Sequence, residues 1–377
     1  MIVISSALVL VALPFFMVGG LAVQIKDDLG LTEASLGAAV TIGFLSGALT
    51  APFGGRIADH LGPRRAVYIG CVLATASLFS LGLLTTGWAT LVAFLSVGGV
   101  GIALTDPGLA ILVGQTIPHQ RQGLAFGIKE ASIPAATLVA GLAVPTVALT
   151  VGWRWAVLIA VFPLGLVLGL LPRLQTPIDV EDTSDQKPME SSASSPKRRA
   201  LLLAAVAAAL GTTAASGIGI FLTDSAVAMG MAPGNAGLLL AMGSVAGIVA
   251  RVAAGGLADR TGGPQFKLIA TMLAVGAVTM SLGGTGNTAL LVLGTLGAFT
   301  GGWAWTGIYF LSLVKTFPDR PGAVAGIGTA GLGVGNAAGP VLFGLVAGTW
   351  SFGVAWVGAG VVAAIAAVLM TSARRMF

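Results

Sequence analysis

The chain has 377 residues, 56% of them hydrophobic and only 9% charged, with a mean hydropathy of +0.96. Soluble domains carry about a quarter charged residues, so this composition excludes a soluble enzyme, and the apolar runs are far longer than the roughly 9–11 residues of a barrel strand. The net charge of +5 is read as the positive-inside bias of a membrane protein, not as a sign of nucleic-acid binding.

A membrane-crossing helix needs about 20 apolar residues. Apolar segments fall at 2–23, 34–56, 66–86, 88–113, 123–150 and 153–171, numbered spans 1 to 6. The first lacks a basic leader and a cleavage site, so it is expected to be a retained span and not a signal peptide. Residues 172–199 hold five acids, five bases and five serines and cannot bury a core. They are expected to form a cytoplasmic linker. Spans 7 to 12 follow at 200–223, 235–257, 267–284, 289–314, 322–347 and 351–371. Lipid forces each span to satisfy its own backbone hydrogen bonds, so helices are expected. The predicted fold class is an all-α membrane protein: twelve transmembrane helices in two pseudo-symmetric six-helix halves, 1–171 and 200–377.

With the linker inside, 15 Lys and Arg residues fall on the cytoplasmic side and only Lys26 and Arg154 outside. This predicts a multi-pass inner-membrane protein with both termini cytoplasmic. Trp153-Arg154-Trp155 reads as an interfacial anchor on the outer side. The 56 glycines are about twice the usual share and suit close helix packing in lipid. A single cysteine, Cys71, excludes an intramolecular disulfide, and two histidines make a metal site improbable. No cofactor is expected.

The chain repeats itself. Residues 30–62 align with 230–262 without a gap, sharing eight identities, among them Gly30/Gly230, Gly55/Gly255, Asp59/Asp259 and Gly62/Gly262. The segment GGRIADHLGPRR (54–65) and its partner GGLADRTGG (255–263) each sit between two spans. Gly55 allows close helix approach, and Asp59 can accept hydrogen bonds from a neighbouring helix N-terminus. Arg64 or Arg65 can pair with it. The second copy keeps Asp259 and Arg260. This pair of loops, at these positions among twelve spans, resembles the signature loop of the major facilitator superfamily. The resemblance implies two parallel six-helix repeats that rock around a midplane site, with the loop cluster latching the outward-open state. It also implies a transporter, not an enzyme.

Charges within a span cost about 2.5–3.5 kcal/mol or more and usually face a partner or a wet cavity. Four stand out: Asp106 on span 4, Lys129 and Glu130 on span 5, and Arg251 on span 8. Segment 246–260 resembles span 8 of the monocarboxylate and oxalate–formate branches of the superfamily, where the resemblance implies that the arginine holds a substrate carboxylate. Its planar fork suits that role. The alternative is an arginine that snorkels and pairs with Asp259 or lipid phosphate. The stretch after Lys129 is similar to span 5 of cyanate-permease-like members. Lys129 is expected to face the path with Glu130 pairing nearby, or the reverse. A structural bridge from Lys129 to Asp106 or Glu130 is the competing reading. Asp106 or Glu130 could carry a proton. Trp305 and Tyr309, four apart on span 10, could line the path, and Asn336 on span 11 could bond substrate. Pro14, Phe15 and Phe16 of span 1, and Thr212, Thr213 and Ser216 of span 7, are further candidates. The expected function is proton-linked uptake of a small organic or inorganic anion by a monomer. The alternative is proton-driven export of amphipathic drugs or metabolites.

Overall fold

The computed structural model describes residues 1–162, 167, 169, 195–317 and 321–377. Most of the expected linker and the second part of span 6 lie outside the described residues. Among those described, 11 helices are long and apolar enough to cross a membrane. Spans 1 to 4 are Ile2–Gly20, Glu33–Leu61, Pro63–Leu84 and Trp88–Thr116. Span 5 is assembled from Gln122–Glu130, Ser132–Ala143 and a π-helical turn at Val144–Ala148. Span 6 begins with Trp153–Ile159. Spans 7 to 9 are Ser195–Ala228, Pro233–Thr261 and Phe266–Leu282. Span 10 runs through Thr288–Gly297, Ala298–Gly302 and Thr306–Thr316. Spans 11 and 12 are Pro321–Thr349 and Phe352–Met376.

The local chemistry explains where these helices start and stop. Thr32 caps span 2 in a reciprocal box with Ser35, and Asn287 and Ser351 cap spans 10 and 12. The repeat noted in the sequence is also a repeat of backbone. Gly30 and Gly230 have φ of 65° and 88°, and Gly62 and Gly262 have 85° and 73°, a region that glycine enters without strain.

Spans 2, 3 and 4 pack together in the first half, and spans 7, 11 and 12 and spans 9 and 12 in the second. The halves meet where span 2 faces span 11, span 5 faces span 8 and span 1 faces span 7. Lipid supplies no hydrophobic drive for this, so backbones must come close. At the crossing of spans 5 and 8, a Cβ on Gly141 or Gly237 would lie 2.6 Å from the other's carbonyl oxygen. One turn away the Thr137 and Ser244 hydroxyls bond at 2.7 Å.

The end of the bundle remote from the turn at Gly62 is closed by polar contacts. Lys26 Nζ bonds Glu33 of its own half at 2.6 Å and Asp224 of the other half at 2.7 Å. Thr223 donates to the Gly19 carbonyl at 3.0 Å. Thr41 of span 2 inserts its hydroxyl into span 11, donating to the Ala337 carbonyl at 2.6 Å and accepting from the Val341 amide at 3.1 Å. Nearby, Arg154 pairs with Asp28, donates to the Thr85 carbonyl and stacks on Trp153, while Trp155 is exposed.

Burial works against the charge on Lys26, but its bonds to Asp224 and Glu33 outweigh it and hold the ammonium above the usual lysine range. A raised lysine stabilises fully below a free lysine's value, about 10.4, and loses that only as pH climbs through the raised value. The Arg154 guanidinium holds the Asp28 carboxyl below its ordinary range, so that contribution is present above about pH 4 and fades as pH falls. Lys26→Met should cost about 1–3 kcal/mol, between exposed and buried pairs. It should speed labelling of a cysteine placed at Thr41 by a membrane-impermeant maleimide. In the unsubstituted Lys26 background, labelling divided by that of an exposed reference cysteine, which removes the thiol's own titration, should stay flat from pH 7 to 9.5.

Candidate functional site

Between the halves lies a cavity of about 230 Å³. Its walls follow from helix periodicity. Span 2 presents Phe44, Gly47, Ala48 and Ala51, span 4 Gly99, Ile102, Ala103 and Asp106, and span 11 Thr329, Leu332, Gly333 and Asn336. Each set is spaced i, i+3, i+4, i+7, one face of a helix. Phe15 and Phe16 of span 1, Glu130 of span 5, Thr212 of span 7, Arg251 of span 8, and Trp303, Thr306 and Phe310 of span 10 also line it, and Leu8, Ala12, Pro107 and Ile133 complete the wall. In spans 1, 2, 4, 10 and 11 these positions run from mid-helix toward the end that carries the Gly62 turn.

The four charges fall into two groups. Lys129 is buried, 3% exposed, with Nζ 2.6 Å from Asp106 Oδ1 and 3.1 Å from Glu130 Oε1. Consecutive helical residues point about 100° apart. Here it is Glu130 that reaches the cavity, and Lys129 turns to span 4, the reverse of the first sequence expectation. Lys129 is therefore engaged by two carboxylates and does not line the cavity as a second free cation. Asp106 also lines the cavity, from a helix that continues through Pro107.

Arg251 is different. Its side chain is 1% exposed yet lies on the cavity wall, and it does not snorkel. Its Nη2 donates to the Trp303 carbonyl at 3.0 Å, and the guanidinium sits 5.2 Å from the Trp303 ring centroid. Its Nε and Nη1 are buried and find no hydrogen-bond partner among the described residues. The Arg251 backbone packs against Gly127, where a Cβ would lie 2.6 Å from the Arg251 carbonyl oxygen. Only a glycine at 127 lets span 5 bring Glu130 to the depth of Arg251.

Span 10 explains one correction. Its π-helical turn at Ala298–Gly302 and the non-helical residues 303–305 shift the register before Thr306–Thr316 resumes. Trp303 thus faces the cavity. Trp305 and Tyr309 share a face, as expected, but are fully buried behind it, bonded to the Gly302 and Ala204 carbonyls. Asn336 is on the wall as expected. Thr213 and Ser216 bond carbonyls of their own helix and do not line the cavity. Phe44, Thr306 and Phe310 are wall residues that the sequence reading did not single out.

In the signature loops, Asp259 accepts from the Gly123 amide at 2.7 Å and the Leu124 amide at 2.8 Å. It caps the start of span 5, whose own N-cap, Arg121, supplies no side-chain bond. This is the contact expected of Asp59, found in the second copy. The side chain of Asp59 and the surroundings of Gly55 lie outside the described residues. Gly62 makes the turn, Arg64 is half-buried, and Arg65 and Arg260 are exposed.

Comparison with known proteins identifies the class. The family model of the Major Facilitator Superfamily matches residues 4–311, and the chain belongs to that superfamily. The fold matches that of the D-xylose-proton symporter, with a TM-score of 0.77 at 16% identity over 98% of this chain and 96% of that one. It also matches a bacterial homologue of the human lysosomal transporter Spinster, at TM-score 0.74 and 14% identity, covering 100% of this chain and 96% of that one. In sequence, the uncharacterized MFS-type transporter EfpA of Mycobacterium tuberculosis is 33% identical over 171 residues, 45% of this chain and 30% of that protein. The quinolone resistance protein NorA of Staphylococcus aureus is 30% identical over 135 residues, 35% of this chain and 32% of that protein. The chain thus spans about a third of the length of these curated relatives. The fold neighbours named here are transporters, and the chain is a multi-pass membrane protein of this superfamily.

Removing the cap should loosen the start of span 5. Asp259→Ala is expected to lower stability by about 0.5–2 kcal/mol, read as a lower melting temperature of the purified protein. Asp259→Asn, which keeps one acceptor, should lose less.

Proposed function

We propose that this protein transports a small organic anion together with protons, by alternating access around the cavity. Arg251 carries the proposal: a buried guanidinium with two donors unpaired, on the wall of the path. Leaving such donors unmade is costly, and a carboxylate would satisfy Nη1 in a two-bond fork with the remaining N–H of Nη2. Lys129 contributes indirectly, by holding Asp106 and Glu130 in place.

The charge balance favours symport. With all four groups ionised, Asp106, Glu130, Lys129 and Arg251 sum to zero. A bound monoanion breaks that balance, and one proton on Glu130 restores it. Glu130 is proposed as the carrier because it lines the cavity and makes the longer of the two Lys129 contacts, 3.1 Å against 2.6 Å for Asp106. Charge-neutral loading lowers the cost of moving the site through the membrane. The inward proton gradient then makes the direction uptake. Asn336 and Thr212 supply polar contacts on the second half. The positive-inside bias supports an inner-membrane location with cytoplasmic termini, and function as a monomer is proposed.

A second reading is proton-driven export of amphipathic compounds. It is favoured by the aromatic wall of the cavity and by the likeness to a protein named for quinolone resistance.

The purified protein should be stabilised by small carboxylates, by about 2.7 kcal/mol at 100 times Kd, and Arg251→Gln should abolish this. In proteoliposomes, Glu130→Gln should keep anion exchange and lose accumulation driven by a pH gradient. Stabilisation by lipophilic cations alone, unchanged in Arg251→Gln, would hand the assignment to the export reading.

A further inference from the structure

The cavity holds more information than its charge. An aromatic belt crosses it: Phe44 of span 2 stacks on Phe15 at 4.1 Å between centroids and 16° between planes, and Phe16 meets Trp303 of span 10 at 5.7 Å. Arg251 lies against the same Trp303 ring. The volume is about 230 Å³, and an apolar cavity of about 150 Å³ takes one benzene. There is room for one ring and one carboxylate. The other ionisable groups on the wall, Asp106 and Glu130, are both acids.

We infer that the site selects a single-ring organic monocarboxylate, its carboxylate on Arg251 and its ring against Trp303 and the Phe15–Phe44 pair, and that Asp106, with Glu130 before it takes up its proton, disfavours dianions. This rests on the anion reading above and adds a size, a shape and a charge limit to it. The carboxylate pairs with the outer edge of Arg251, Nη1 and the remaining N–H of Nη2. The ring then lies where aromatic side chains offer offset or edge contacts. A second carboxylate finds only these two acids among the other charged groups on the wall.

The ligand series is run on the unsubstituted protein, so no variant needs to fold. Binding is read by thermal shift and tryptophan fluorescence. Benzoate and cyclohexanecarboxylate are expected to bind at least tenfold more tightly than acetate. 4-Nitrobenzoate, which has the shape of terephthalate without its second charge, should bind like benzoate. Terephthalate should bind at least tenfold more weakly, and Glu130→Gln should narrow that gap. Trp303→Leu should weaken benzoate roughly three- to tenfold more than it weakens acetate, the size of an aromatic contact. If acetate, benzoate and terephthalate bind alike, all through Arg251, the ring and dianion selectivity is overturned and the anion site stands. If 4-nitrobenzoate is rejected along with terephthalate, size and not charge sets the limit, and the role of the two acids is overturned. If no carboxylate binds, the anion reading falls and this inference falls with it.

Discussion

A charge buried in a lipid-embedded bundle must be answered within the protein, because water is not there to answer it. Much of this site follows from that constraint. Lys129 is answered twice, by Asp106 and by its own neighbour Glu130. Arg251 is answered once, by a carbonyl that a break in span 10 leaves available. The four charges balance in sum and not in detail. The unevenness leaves one cation with donors to spare on the wall of a cavity and two acids across from it. The substrate proposed here is the group that completes the pattern.

Small residues make this arrangement possible. Arg251 and Glu130 stand on spans that cross where Gly127 leaves no side chain between the backbones, and the same spans meet again at Gly141 and Gly237. Asp259 ties the start of span 5 to the end of span 8. The pair therefore carries the buried cations as one packed unit across the line between the halves, while the remaining walls come from spans that touch less closely.

Most of the architecture was legible in the chain. Spans were found because apolar runs, polar breaks and basic ends are set by the bilayer, and the repeat was found because Gly30, Gly62 and their partners occupy backbone conformations that other residues avoid, while glycines such as Gly37 and Gly237 mark close packing and Asp59 and Asp259 share one spacing. The charges were legible for the same reason: lipid makes them expensive and therefore visible. Their pairing was not, since Lys129 and Glu130 are adjacent and only the neighbouring helices decide which one turns inward. The wall stripes of spans 2, 4 and 11 have helical spacing, yet they are lined by Gly, Ala and Leu like the lipid-facing sides, so amphipathicity could not mark them. Trp305 and Tyr309 were misplaced because an ideal helix was assumed where span 10 carries a wider turn.

Thr41 gives the closed end a property that rigid halves would lack. Its hydroxyl stands within a rung of span 11, between the Ala337 carbonyl and the Val341 amide, just past a proline that already lacks an N–H to donate. A side chain inserted in this way bends a helix. When spans 2 and 11 part, the hydroxyl leaves and the rung can close on itself, straightening span 11 at the point where Asn336 enters the cavity wall. The curvature of one helix would then record which side of the membrane the path is open to, and carry that record to the substrate.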